Sequence, residues 1–119
     1  MKDNKYYWIY ILECNNAKYY TGYTSNLDKR YSLHVQGKGA KYTKSFKPMK
    51  IVQCWKLNET IAHAMKIEAF IKRKPRSFKD ILVKNPSVLK DVLYKNFGLH
   101  FAVFTVSSKK LKKMAETTS

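Results

Sequence analysis

Aromatic and aliphatic residues crowd the start of this chain in a pattern that predicts strands. Over residues 6–13, YYWIYILE, apolar groups occupy both alternating faces, as in a central strand covered on each side. Asn15 and Asn16 supply turn chemistry and an extended pattern resumes from Tyr19 to Thr24, so a hairpin is the economical reading. Its register stays open. A five-residue loop centred on Asn15 opposes Tyr10 to Tyr20, with Cβ atoms about 5 Å apart. A four-residue loop opposes Tyr10 to Thr21 and separates the pair. Gly22, inside the second strand, marks a bulge or a close approach of backbone or ligand.

Helical periodicity follows. Ser25 with Asp28 has the form of a capping box, predicting a helix from Asn26 that ends before Gly37. Leu27, Tyr31 and Val35 share its inward arc, and Arg30 and His34 lie along one edge, facing the groove beside the tyrosines. Residues 51–57 read as a third strand with Trp55 in the core. Asn58 is a good N-cap for a helix reaching about Lys74, where Pro75 stops it. Stepping 100° per residue from Ile61, the apolar residues Ile61, Ala64, Met65, Ile67 and Ile71 fill an arc from about 240° to about 40°, and Glu68 falls inside it at about 340°. A carboxylate there needs a partner, either a cation or Lys72 four residues on. Ser77 with Asp80 and Asn85-Pro86 begin two short helices, about 78–84 and 86–96, before a weak strand over 100–106.

Charge narrows the function. With 24 Lys+Arg against 8 Asp+Glu, a formal charge of +16, the expected partner is a polyanion, and nucleic acid is the default. Residues 36–50 concentrate this charge: Lys38, Lys41, Lys44 and Lys47 recur every third residue around Tyr42, cations for phosphates and a ring for stacking, against a bland alternative of a solvated loop. Two isolated cysteines, Cys14 and Cys54, fit packed, reduced thiols and exclude a disulfide framework or a thiolate zinc site. No apolar run approaches the roughly 18 residues of a spanning helix, and MKDNKYYW has no signal-peptide core. The expectation is a cytoplasmic protein without membrane contact, a monomer or weak homodimer.

Five ordered segments make the chain resemble the GIY-YIG nuclease superfamily, and its small stand-alone bacterial members in particular. They are Trp8-Ile9-Tyr10, Tyr20-Thr21-Gly22, the N-L-x-x-R run from Asn26 to Arg30, the G-x-G-A-x-Y-T run from Gly37 to Thr43, and E-x-x-I-K from Glu68 to Lys72. Trp8 stands where the family's first triplet has glycine, a tolerable change because the site needs Tyr10. The similarity covers about residues 6–83, and from about Pro86 no counterpart is recognised.

The resemblance implies an α+β fold, a three-stranded antiparallel sheet flanked by helices, with a helical C-terminal extension. The expected organisation is a nuclease-like domain over 1–84, an extension packed on it over 85–107, and a basic, disordered tail over 108–119. It further implies hydrolysis of phosphodiester bonds, in DNA more than in RNA, with structured or damaged DNA as the candidate substrates. One Mg2+ or Mn2+ ion would be held by Glu68. Tyr20 is the expected general base, with Tyr10 positioning water or sharing that role. Arg30 offers a planar fork to phosphoryl oxygens, and His34 contacts phosphate or tunes a tyrosine. The competing expectation is a nucleic-acid-binding module that keeps the fold without useful turnover.

Overall fold

A computed structural model describes residues 6–116, with the side chains of 114–116 left aside. Residues 1–5 and 117–119, on which part of the N-terminal and tail readings fall, lie outside the described residues. The elements are β1 (Tyr7–Cys14), β2 (Tyr19–Thr24), α1 (Leu27–Val35), α2 (Lys41–Ser45), β3 (Pro48–Leu57), α3 (Ile61–Lys72), α4 (Arg76–Lys84), α5 (Val88–Phe97), β4 (Val103–Thr105) and α6 (Ser108–Glu116). Every strand pairing is antiparallel, and the sheet order is β2-β1-β3-β4. The C-terminal extension thus adds a fourth strand to the three expected.

The hairpin register differs from both expected ones. Asn15, Asn16 and Ala17 form a three-residue turn, closed by the Cys14 N–H to Lys18 carbonyl bond of 2.9 Å, with Ala17 in the left-handed region at φ 63°. A type I turn followed by such a residue tightens the loop and centres it on Asn16. Tyr10 therefore opposes Gly22, and Tyr20 opposes Leu12. Because side chains alternate every residue, the shift of two positions leaves both tyrosines on one face, as diagonal neighbours rather than a direct pair.

Alternation along β1 sorts the core into two layers. Ile9 and Ile11 join Trp55, Leu57, Ala64, Ile67 and Ile71, together with Leu82, Leu89 and Leu93, on the face covered by α3, α4 and α5. Tyr10 and Leu12 join Leu27, Tyr31, Ile51 and Cys54 on the other face, under α1. Two side chains of β3 fasten the following helical segment to the sheet: Gln53 Nε2 donates to the Val83 carbonyl on α4 (3.0 Å), and Trp55 Nε1 to the Pro86 carbonyl at the start of the extension (2.9 Å). Cys14 and Cys54 are free, buried thiols.

Helix ends deviate by a residue or two for local reasons. Asn26, not Ser25, caps α1 by accepting the Lys29 N–H, and Thr60, not Asn58, caps α3 by accepting that of His63. α1 closes as expected at Gly37, whose φ of 76° allows the Gly37 and Lys38 N–H groups to reach the His34 and Leu33 carbonyls. Asp80 pairs with Arg76 instead of closing a box with Ser77. Ile61 and Met65, placed on the inward arc of α3, are half exposed, and the packed stripe is the narrower Ala64, Ile67, Ile71.

The segment expected to be a disordered tail forms α6. Val106, just before it, and Leu111 pack against the second-face cluster, and α6 lies against β3. Four lysines around Leu111 mask this apolar anchor in the composition. No helix among the described residues is long and apolar enough to cross a membrane.

Candidate active site

Tyr10 sits at the centre of the second face, 1 % exposed. Its ring extends across the neighbouring strand, and Gly22 makes this possible. A Cβ at position 22 would lie 2.6 Å from the Cζ atom of Tyr10, closer than carbon atoms approach. The close approach signalled by the glycine is therefore that of the Tyr10 phenol.

Burying a phenol requires a partner for its hydroxyl, and α1 provides one. Tyr10 Oη and His34 Nε2 are 2.8 Å apart, and His34 Nδ1 is 2.6 Å from Thr43 Oγ1. The Thr43 oxygen also accepts from the Ala40 N–H (3.2 Å) and lies 3.1 Å from the Ala40 carbonyl. Gly39 completes the cradle, because a Cβ there would stand 2.8 Å from two atoms of the imidazole. His34 is fully buried, and burial, with the Arg30 charge adding, pushes its pKa down to about 4. The ring is thus neutral at physiological pH and carries a single proton. Either Nδ1 donates to Thr43 and Nε2 accepts from Tyr10, or Thr43 donates to Nδ1 and Nε2 donates to the tyrosine oxygen. Of the two roles expected for His34, this geometry leaves the contact with a tyrosine and removes direct contact with phosphate.

Tyr20, Arg30 and Glu68 are half-buried around this centre. The Tyr20 ring lies 6.4 Å from that of Tyr10 and 5.1 Å from His34. Burial raises the Tyr10 hydroxyl to about 12, a rise that the Arg30 guanidinium opposes and the Glu68 charge assists. The same balance raises Tyr20: burial first, with Arg30 opposing and Glu68 adding. Both phenols therefore share one guanidinium and one carboxylate. Burial also raises the pKa of Glu68, against the pull of Lys72. Among the described residues Glu68 forms no ion pair, and the Lys72 ammonium lies over the Tyr20 ring instead, 5.7 Å from its centroid.

A half-buried carboxylate without a salt-bridge partner, beside an arginine and two phenols, fits a hard cation. Among the described residues no three His, Cys, Asp or Glu side chains converge, so the donor set does not suit zinc. It suits magnesium, which retains water and binds through one or two carboxylates plus substrate phosphate.

The lysine-rich segment is more ordered than expected. Lys41 and Lys44 lie on α2, with Lys38 and Lys47 flanking it, and all four are exposed. Tyr42 stacks on Tyr20 at 6.3 Å with an interplanar angle of 16°, and its hydroxyl accepts from Asn16 Nδ2 at 2.9 Å. Sequence reasoning assigned this run to solvent or nucleic acid, and so missed Gly39 and Thr43 as the support of His34. The shared G-x-G-A-x-Y-T run contained the signal, a glycine and a hydroxyl within one turn of a short helix.

The GIY-YIG catalytic domain model matches residues 6–80, a span that contains Tyr10, Tyr20, Arg30, His34 and Glu68. The chain belongs to the GIY-YIG family. It is 40 % identical over 77 residues to the UPF0213 protein BH0048 of Halalkalibacterium halodurans, covering 65 % of this chain and 81 % of that one. It is 32 % identical over 94 residues to the UPF0213 protein YazA of Bacillus subtilis, covering 79 % and 93 %. The solution NMR structure of BH0048 aligns with a TM-score of 0.44 at 39 % identity, over 66 % of this chain and 83 % of that one. In this GIY-YIG domain, the two name-giving triplets supply the buried phenol of Tyr10, the half-buried phenol of Tyr20 and the glycine that lets the first ring pass.

Proposed function

We propose that this GIY-YIG domain is an endonuclease that hydrolyses phosphodiester bonds in DNA with one divalent cation, magnesium or manganese, held by Glu68. The observation that carries the reading is the convergence of Tyr20, Arg30 and Glu68 around a fully buried Tyr10–His34 pair. Tyr20 is the phenol within reach of solvent and acts as the base: its oxygen takes a proton from the attacking water as the new P–O bond forms and the leaving oxygen departs. Burial works against the phenolate that this step requires, and the Arg30 charge favours it. Arg30 then presents its planar fork to the charge that builds on the phosphoryl oxygens. When bound, the cation would supply Lewis-acid stabilisation at the scissile phosphate. Tyr10 is too buried and too weakly acidic to share the base role, and it fixes the position of Tyr20 and Arg30. Lys38, Lys41, Lys44 and Lys47 border the site at α2 and offer phosphate contacts, while Tyr42 shields one face of Tyr20.

The test is cleavage of labelled branched and flapped DNA in magnesium by wild type, Tyr20→Phe, Arg30→Ala and Glu68→Gln, with binding measured separately in chelator. Each variant is expected to lose about 10²-fold or more in rate, the range for removing a general base or an oxyanion donor, while binding changes only a few-fold. Binding without cleavage in any divalent cation, unchanged in Glu68→Gln, would replace this reading with that of a nucleic-acid-binding module.

A further inference from the structure

Beside the tyrosine–arginine centre lies an open cavity of about 490 Å³, lined by Tyr6, Trp8, Ser25, Asn26 and Lys56. Its place follows from two repeats. Trp8 is two residues before Tyr10 on β1, hence on the same face and about 6.8 Å away along the strand. Asn26 is four residues before Arg30, about 6 Å along α1. The cavity therefore adjoins the Tyr10–Arg30 centre, one strand repeat from Tyr10 and one helical turn from Arg30. That displacement is close to the step between successive nucleotides of an extended strand.

Its chemistry is that of a nucleotide. Tyr6 is 43 % exposed and Trp8 partly so. The Lys56 ammonium lies 4.1 Å from the Tyr6 ring centroid and 5.7 Å from that of Trp8. Lys110, carried on α6 outside the matched residues 6–80, lies 5.7 Å from Trp8 on its own account. Two rings with a cation bridging them and a second cation beside one give stacking surface and phosphate charge in one place. The Ser25 hydroxyl adds a polar group at the rim.

We propose that this cavity is a nucleotide subsite, which takes one unpaired nucleotide of a DNA strand adjoining the scissile phosphate. The base stacks on Trp8 and Tyr6, and its phosphates draw Lys56 and Lys110 off the ring faces, since full anionic charge holds an ammonium more strongly than a ring quadrupole does. Stacking on an open face requires a base that is out of the duplex, so the subsite selects single-stranded or distorted DNA. Trp8, at the position of the family's glycine, is the specificity-determining residue. Only the placement next to the scissile phosphate rests on the nuclease reading; the stacking stands without it.

Titration of the full chain with oligothymidylate in chelator, followed by tryptophan emission, tests the subsite without cleavage. Trp55 is fully buried with its indole N–H bonded, so quenching on binding reports Trp8. Wild type is expected to be quenched. Trp8→Val should lose the quenching and bind about fivefold to a hundredfold more weakly, the range for one stacked base. Lys56→Gln should keep the quenching and lower the salt slope of binding by about one. Unquenched emission at saturation, or wild-type affinity in both variants, overturns the subsite; if Trp8→Val does not fold, the wild-type emission and Lys56→Gln still decide. Quenching in a protein that cleaves nothing leaves the subsite standing and removes the nuclease reading, whereas cleavage without quenching removes the subsite alone.

Discussion

At the scale of single residues, the Tyr10 hydroxyl is held by a chain of two fully buried side chains, His34 and Thr43. The hydroxyl depends on His34, His34 depends on Thr43, and both rings depend on the space left by Gly22 and Gly39. This arrangement has a pH signature. Burial holds the His34 pKa at about 4, against about 6.5 in an unfolded chain. Between those values the unfolded chain binds a proton that the folded protein refuses, so stability is lost as pH falls from about 6.5 towards about 4 and is flat above that window. The loss attributable to His34 is on the order of 3 kcal/mol at the acid end. Urea unfolding of wild type and His34→Phe at several pH values should show the variant weaker at neutral pH, with the difference shrinking as pH falls. A difference that stays constant down to about pH 4 would mean that His34 is protonated in the fold. The residues of this centre were unequally legible. Glu68 stands out as a carboxylate on an apolar arc, and Tyr10, Tyr20 and Arg30 fall in the segments that carry the family resemblance, whereas Gly39 and Thr43 act only through His34, and only a folded α2 brings Thr43 to it.

Elements show why some of the chain could be read and some could not. Strands β1 and β3 and helices α1 and α3 have periodic apolar faces, so their existence follows from sequence, while their caps and the hairpin register turn on single hydrogen bonds and on Ala17 adopting a left-handed conformation. Helix α6 was hidden because its apolar anchor, Leu111, stands among four lysines. Its packing bears on Cys54, which is fully buried and whose thiol burial pushes up to about 12, with Lys110 pulling the other way. A thiol in that state is inert. Truncation after Val106 should therefore uncover the β3 end of this face, lower the denaturation midpoint, and make Cys54 react with a thiol reagent faster than in the full chain, with a Cys14→Ser background isolating the signal. Equal labelling rates with and without residues 107–119 would show that α6 does not seal this face.

For the whole molecule, the open question is whether a charge of +16 acts as a general field or through one surface. A uniformly distributed charge steers DNA to the protein without fixing where it lands, and any lysine would then matter about equally. The fold argues for a surface. Lys41, Lys44 and Lys47 are exposed on or beside α2, next to Tyr42 and Tyr20, whereas Lys84, Lys90 and Lys95 are exposed on α4 and α5, across the sheet from the tyrosines. Each triple can be changed to glutamine, which alters net charge by the same amount and touches no buried residue. Phosphate contacts release counterions, so each one lost reduces the slope of log affinity against log salt by about 0.9 on duplex DNA. Lys41→Gln, Lys44→Gln and Lys47→Gln together should lower that slope by up to about 3 and weaken binding to all sequences alike, while the α4–α5 triple should leave the slope within about 1 of wild type. Slopes measured by fluorescence anisotropy on one duplex over a range of salt decide it. Equal reductions from the two triples would mean that DNA has no fixed path across the tyrosine face, and the lysines of α2 would lose their place beside the active site as DNA contacts.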